Sequence, residues 1–308
     1  MYKRQLYLRE LMKRVSCLER DEVPVGADVL ASALQGLLVH SAQDEDQVAE
    51  LLLMPGETVL VDRLEDVDVE LLVAARDGLR HELAVRLFPQ MLSAYDRCTS
   101  AAPYRFEATE IARRRLRNVC LAWLVAEGGD VARRLALAQY HSADNMTDSQ
   151  ATLTALNDHD SPERSEALAH FHARWQEQPL VLDKWLTLQA ASGLPDSLDT
   201  VKSLLEDRHF DRRNPNRIRA LVGAFAHGNL RGFHRADGAG YAFLADQIQT
   251  LDTINPQVAA RLAAAFTRWR RFAKARRDLM QTQLQRLQAI PGLSPDVHEI
   301  VSKSLAVG

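Results

Sequence analysis

Apolar residues recur every three to four positions along nearly the whole chain, and this spacing confines it to helices. Leu6, Leu8, Leu11, Met12 and Val15 open the pattern, and LASALQGLLVH (30–40) and DQVAELLLM (46–54) continue it. VELLVAARDGLRHELAVRLFPQML (69–92) reads as one long helix or two in line. TEIARRRLRNVCLAWLVAEG (109–128) and ARLAAAFTRWRRFAKARRDLMQTQLQRLQ (260–288) likewise read as one long helix or two in line. No convincing period-two strand interrupts them. Aromatic residues are only 6% of the chain, which also favours helix over sheet.

The breaks are short and carry helix-start chemistry. Ser161-Pro162, Asn214-Pro215, Asn255-Pro256 and Ser294-Pro295 each put a capping side chain before a proline. The cap accepts an orphan N–H, and proline at the first helical position gives up only a donor that is unused there. Roughly sixteen helices joined by short loops are expected to stack as antiparallel pairs into an all-α superhelix of the HEAT or armadillo kind, with no sheet. No fixed repeat period is visible, so a compact helical bundle stays open.

Function classes narrow by exclusion. No run of about eighteen apolar residues exists, so no membrane span is expected. Residues 1–15 are charged throughout and lack a signal-peptide core. The start resembles that of a cut fragment. Cys17, Cys98 and Cys120 are far apart and odd in number, which argues against a disulfide framework and fits a reducing, cytoplasmic setting. HELAV at His81 and HEIVS at His298 each lack the second histidine of a zinc-peptidase helix. The remaining histidines form no second metal signature. DGAGY (237–241) lacks a third glycine and a preceding strand, and reads as a turn before a helix. No metal or cofactor is expected in this chain, and no catalytic residue.

Charge is unevenly placed. Residues 41–70 hold ten acids and one base, Arg63. Residues 212–236 hold six arginines and residues 254–277 seven bases, with no acid in either. These are either solvated helix faces or an anion-attracting surface. The net charge of −3 and the acid-rich segment make nucleic acid an unfavoured partner.

Several stretches resemble the C-terminal helical domain of the bacterial aminopeptidase N family of zinc metallopeptidases. They are EIARRRLRNVCL (110–121), HSADNMTDSQATLTAL (141–156), LVLDKWLTLQA (180–190), NPNRIRALVGAFA (214–226), FHRADGAGYAFL (233–244) and NPQVAARL (255–262). NMTD, DKW and NPNR together make the resemblance specific. It implies that residues 1–308 are one such domain, with the zinc-bearing catalytic domain and the β domains absent. It further implies a domain that caps the catalytic chamber, with that catalytic part and peptide substrates as partners. By matching motifs, Arg219 and Arg261, with Arg217 as a third, are the candidate peptide-binding residues. On the residues alone, Ile218, Leu221, Val222 and Phe225 form a buried stripe flanked by Arg217 and Arg219. Val258, Leu262, Ala265 and Phe266 form a second stripe with Arg261 at its edge. Partly desolvated arginines there need an anionic or carbonyl partner, either a peptide or a neighbouring Asp or Glu. The alternative function is a stand-alone helical-repeat scaffold for a protein or nucleic-acid partner.

Overall fold

The computed structural model describes residues 2–100 and 102–306. Among them there are helices and loops, and no strand beyond one isolated parallel bridge between Val67 and Phe272. The backbone packs as two compact units.

One unit comprises residues 1–60 and 71–169. It contains α1 (Tyr2–Glu19), α2 (Asp28–Val39), α3 (Glu45–Leu52), most of α4 (Glu57–Val61) and of α5 (Val69–Arg86), α6 (Phe88–Arg97), α7 (Ala108–Ala126), α8 (Asp130–Ser142), α9 (Met146–Leu156) and the first half of α10 (Pro162–Trp175). The 69–92 stretch is thus two helices, and Pro89 sits in the first turn of the second. There it needs no N–H partner. Helix α7 is the hub, packed by α3, α6, α8 and α9. Its Leu116, Cys120, Leu121, Trp123 and Leu124 are buried at the helical spacing. Tyr7 Oη and Trp123 Nε1 both donate to the Leu52 carbonyl, at 3.2 Å each, and so satisfy an orphan acceptor in the last turn of α3.

The NMTD stretch is explained here. Asn145 caps α9 by accepting from the Asp148 N–H at 2.9 Å. The carboxylate of Asp148, 4% exposed, accepts from Arg117 (3.1 Å), Asn118 (2.8 Å) and Asn145 (3.0 Å). A buried charge is stable only when paired and hydrogen-bonded in this way.

The other unit comprises residues 61–70 and 170–308. It holds the rest of α10, then α11 (Pro179–Ala190), α12 (Ser197–Leu205), α13 (Pro215–Ile218), α14 (Ala224–Gly228), α15 (Leu230–Phe233), α16 (Ala239–Asp252), α17 (Pro256–Ala263), α18 (Lys274–Gln288) and α19 (Pro295–Ala306). Phe225, Phe233, Tyr241 and Phe266 form its aromatic centre, fully buried, with Phe233 edge-on to Tyr241 at 5.2 Å. Gly238 adopts a φ of 71°, and a Cβ on Gly240 would lie 2.3 Å from the Phe233 carbonyl. DGAGY is therefore the turn expected before α16, with its second glycine required by close backbone approach.

All four expected caps are present. Asn214 accepts from the Asn216 N–H at 2.9 Å and Asn255 from the Val258 N–H at 3.2 Å. Ser161 accepts from Arg164 N–H at 3.2 Å and Ser294 from Val297 N–H at 3.3 Å.

Of the two readings of 260–288, one long helix or two in line, the structure has two helices, separated by a 3₁₀ segment and an extended residue. Helix α17 passes into a 3₁₀ segment, Ala264–Arg271, then Phe272 is extended and α18 begins at Lys274. Ala263, Phe266, Trp269 and Phe272 are all buried, three residues apart. That is the eclipsed face of a three-residue turn. The buried stripe accordingly runs through Ala259, Leu262, Ala263 and Phe266, while the expected Val258 and Ala265 are only half-buried. At the break, Val67 N–H donates to the Arg271 carbonyl (2.7 Å) and Ala273 N–H to the Val67 carbonyl (3.0 Å).

Candidate functional site

The site follows from how the two Asn-Pro helices hold their arginines. Helices α13 and α14 are joined by a single π-helical turn, Arg219–Gly223. Ile218, Ala220, Leu221, Val222 and Phe225 are all buried around it. Arg219 is the exposed residue within that buried run. π turns of this kind concentrate at functional positions. The His227 ring, at the end of α14, lies within hydrogen-bonding reach of the Arg261 main chain, so the two Asn-Pro helices approach each other at that point.

The structure separates the three candidate arginines. Arg217 is 6% exposed and turned into the unit. Its guanidinium pairs with Asp183, donates to the Pro179 carbonyl at 2.8 Å and reaches the His209 carbonyl at 3.4 Å. Asp183 is the acid of DKW, so two of the sequence motifs interlock through one buried ion pair. Among the described residues Arg219 bonds only the neutral Asn216 side chain, at 3.0 Å. Arg261 is exposed, and its side chain has no hydrogen-bond or ion-pair partner among the described residues. Arg213, exposed in the loop before α13, also lacks a carboxylate partner among the described residues. An exposed guanidinium without a carboxylate keeps its forked donors available to an anion.

Most bases of the 254–277 segment are not available in that way. Arg268 pairs with Asp62 (3.1 Å), Arg277 with Asp66 (3.1 Å) and Arg276 with Glu70. Arg270 donates to the Ser304 and Leu305 carbonyls at 2.7 and 3.1 Å. The acids come from the acid-rich stretch, some two hundred residues earlier in the chain. The anion-attracting surface considered for this segment is thereby largely neutralised, because residues 61–70 belong to the same unit.

The other candidate features resolve structurally. Glu82 of HELAV pairs with Arg14 and accepts from Ala27 N–H at 2.8 Å. Glu299 of HEIVS pairs with Lys303. The positions that would carry a second histidine are Val85 and Ser302. These two sequences do not fit a zinc-peptidase centre. One group among the described residues does have metal-ligand character: His172, Asp207 and His209, whose ligand atoms all lie within 4.8 Å of one another. Sequence reasoning missed it, since 34 residues separate His172 from the DRH stretch and no spacing motif links them.

In the first unit, a groove of about 810 Å³ is lined by Leu53, Tyr104, Phe106, Ile111, Arg80 and Arg114, among others. Phe106 is 83% exposed, Tyr104 44% and Ile111 40%. Arg114 lies 4.6 Å over the Tyr104 ring, and Arg80 donates to the Ala122 carbonyl at 3.2 Å. No helix among the described residues is long and apolar enough to cross a membrane.

The chain as a whole is similar to known proteins. A family model described as "Domain of unknown function (DUF3458_C) ARM repeats" matches residues 3–306. The chain is 36% identical over 277 residues to aminopeptidase N of Escherichia coli, covering 90% of this chain and 32% of that protein. It is 38% identical over 301 residues to aminopeptidase N of Caulobacter vibrioides, covering 98% and 35%. A crystal structure of Legionella pneumophila aminopeptidase A in complex with aspartic acid matches with a TM-score of 0.88 at 27% identity, over 98% of this chain and 36% of that one. The chain spans about a third of the length of the curated relatives it matches. With its all-helical architecture and the interlocked DKW and NPNR motifs, the chain belongs to the DUF3458_C family of ARM repeats and corresponds to the C-terminal domain of aminopeptidase N.

Proposed function

We propose that this domain works with the catalytic part of an aminopeptidase N-type enzyme, capping its chamber and holding peptide substrates while N-terminal residues are removed. The observation that carries the reading is the state of Arg219 and Arg261. Most bases of the two acid-free segments are paired with acids or carbonyls, whereas these two are exposed and have no carboxylate partner among the described residues. A guanidinium in that state can grip a peptide carboxylate or carbonyl through parallel N–H donors. Arg217 serves differently: through Asp183 it fixes the helix that presents Arg219. The zinc of the parent enzyme belongs, on this reading, to the part outside this chain. The working place is a reducing cytoplasm, in keeping with the free thiols of Cys17, Cys98 and Cys120.

The groove of the first unit supports a docking role. Exposed Phe106, Tyr104 and Ile111 beside arginines make the kind of patch another protein surface covers. We take the covering surface to be the remaining two-thirds of the parent protein. A nucleic-acid scaffold is less favoured, since Asp62, Asp66 and Glu70 occupy bases that would meet phosphate. The test is sedimentation of the 308-residue chain with the separately expressed remainder of the Caulobacter vibrioides relative. Association at micromolar concentration, strongest at low salt and weakened by Phe106→Asp, supports docking. If the relative's own matched third binds that remainder and this chain does not, the proposal fails.

A further inference from the structure

From the geometry around His172, we infer a binding site for one divalent transition-metal ion of the zinc class, built by His172, Asp207 and His209. The three side chains come from two elements that the fold brings together. His172 lies in the last turns of α10, and Asp207 and His209 lie in the loop after α12. Their ligand atoms all fall within 4.8 Å of one another. Two imidazoles and a carboxylate are the donor set that suits zinc, cobalt or nickel and leaves a coordination position open.

Each ligand is held in a way that a metal could use. His172 stacks on Trp185 with ring centroids 4.3 Å apart, which fixes the imidazole plane. Its Nε2 is buried and has no hydrogen-bond partner among the described residues. A buried acceptor left unpaired is costly, and a bound cation would satisfy it. Asp207 Oδ1 accepts from the His209 main-chain N–H at 2.8 Å and lies 3.1 Å from His209 Nδ1. Two ligands on a tetrahedral ion with bonds near 2.0–2.1 Å stand about 3.3 Å apart, so this pair needs little movement. The other ring nitrogen of His209 lies 3.6 Å from Glu177 Oε1. A carboxylate behind a ligating histidine is the usual outer partner that fixes its tautomer. Binding would displace the Nδ1···Asp207 hydrogen bond and place the ring proton on Nε2, facing Glu177.

Protonation states at neutral pH agree with this geometry. Burial lowers the His172 pKa and outweighs the opposing charge of Asp207, with His209 and Arg208 adding smaller lowering effects, so the neutral ring is favoured. Burial alone would raise the Asp207 pKa, but hydrogen bonds from the His209 main chain and ring outweigh it and hold the carboxyl below its usual range. Neutral imidazole and ionised carboxylate are the forms that ligate. The site would also pin the loop leading to α13, because the His209 carbonyl accepts from Arg217 Nε at 3.4 Å. This inference is independent of any role in peptide binding.

The experiment uses the untagged 308-residue chain, stripped with chelator and titrated with Co²⁺ by visible absorption and with Zn²⁺ by calorimetry. The expected result is one ion per chain with a Kd in the micromolar range or tighter, and cobalt d–d bands of low-symmetry coordination. His172→Ala, Asp207→Asn and His209→Ala should each weaken binding at least about tenfold, and the exposed His298→Ala should leave it unchanged. His172→Gln, which keeps most of the side-chain volume, guards against a folding artefact and should lose binding with a native circular dichroism spectrum. No cobalt bands and no zinc heat up to roughly 100 µM would overturn the site. So would binding that survives the His172→Ala, His209→Ala double variant.

Discussion

Arg217, in α13, and Arg219, in the π turn that follows it, stand two residues apart, and their removal should have different consequences. Arg217→Ala deletes one half of an ion pair whose side chains are 7% and 17% exposed. Asp183 would keep its charge with little water to solvate it, and the Pro179 and His209 carbonyls would lose their donor. Breaking a buried pair costs roughly 3–5 kcal/mol. Because Asp183 retains some solvent access, the low end applies, and about 3 kcal/mol is expected. For a unit of this size that lowers Tm by roughly 6–12 °C. Among the described residues Arg219 has one side-chain hydrogen bond, to exposed Asn216, so Arg219→Ala should stay within about 0.5 kcal/mol of the parent. Urea denaturation followed by circular dichroism measures both variants side by side. Equal destabilisation by the two substitutions would refute the division of labour between them, and so would a neutral Arg217→Ala.

Three further outcomes are expected. Asp148→Asn leaves the Arg117 guanidinium without its carboxylate in the first unit and should cost about 3–5 kcal/mol by urea denaturation. Gly240→Ala drives a methyl group against the Phe233 carbonyl, which is main chain and cannot rotate away, so a loss of about 1–3 kcal/mol is expected in the same assay. Burial pushes the His234 pKa down to about 3, with Arg276 acting in the same direction. The unfolded imidazole titrates near 6.5, so between that pH and about 3 the unfolded chain takes a proton that the native chain refuses. Stability therefore falls on acidification, by roughly 2 kcal/mol between pH 7 and pH 5 from this group, and His234→Gln should reduce that slope by about one proton.

The fold was legible where local chemistry decides it. Four caps before proline, the buried stripe of Ile218, Leu221, Val222 and Phe225, and the glycine turn at Gly238 could all be read from spacing. The break at Phe272 was not, although the three-residue spacing of Ala263, Phe266, Trp269 and Phe272 carried a trace of it. A three-four pattern and a three-three pattern differ by one residue per turn, and the extended Phe272 is stabilised by Val67, far away in sequence. The charge runs stayed ambiguous for the same reason. Counting acids within a segment cannot reveal that Asp62, Asp66 and Glu70 fold back onto Arg268, Arg277 and Arg276. At the candidate site the motifs pointed to the two Asn-Pro helices, but distinguishing Arg217 from Arg219 required knowing where Asp183 lies. His172 and His209 became neighbours only through tertiary packing.

The most direct test of the central claim is kinetic. In a chimera where this chain replaces the matched third of the Caulobacter vibrioides relative, Arg219→Ala and Arg261→Ala are compared on oligopeptides and on one-residue aminoacyl-arylamides. A charge-assisted hydrogen bond is worth roughly 1.5–3 kcal/mol, so peptide kcat/KM should fall by about ten- to a hundredfold. The arylamide should be turned over nearly as before, since it has nothing beyond its first residue for these side chains to hold. Equal loss on both substrates, or peptide kinetics unchanged by the double substitution, would contradict the claim that these arginines bind the peptide.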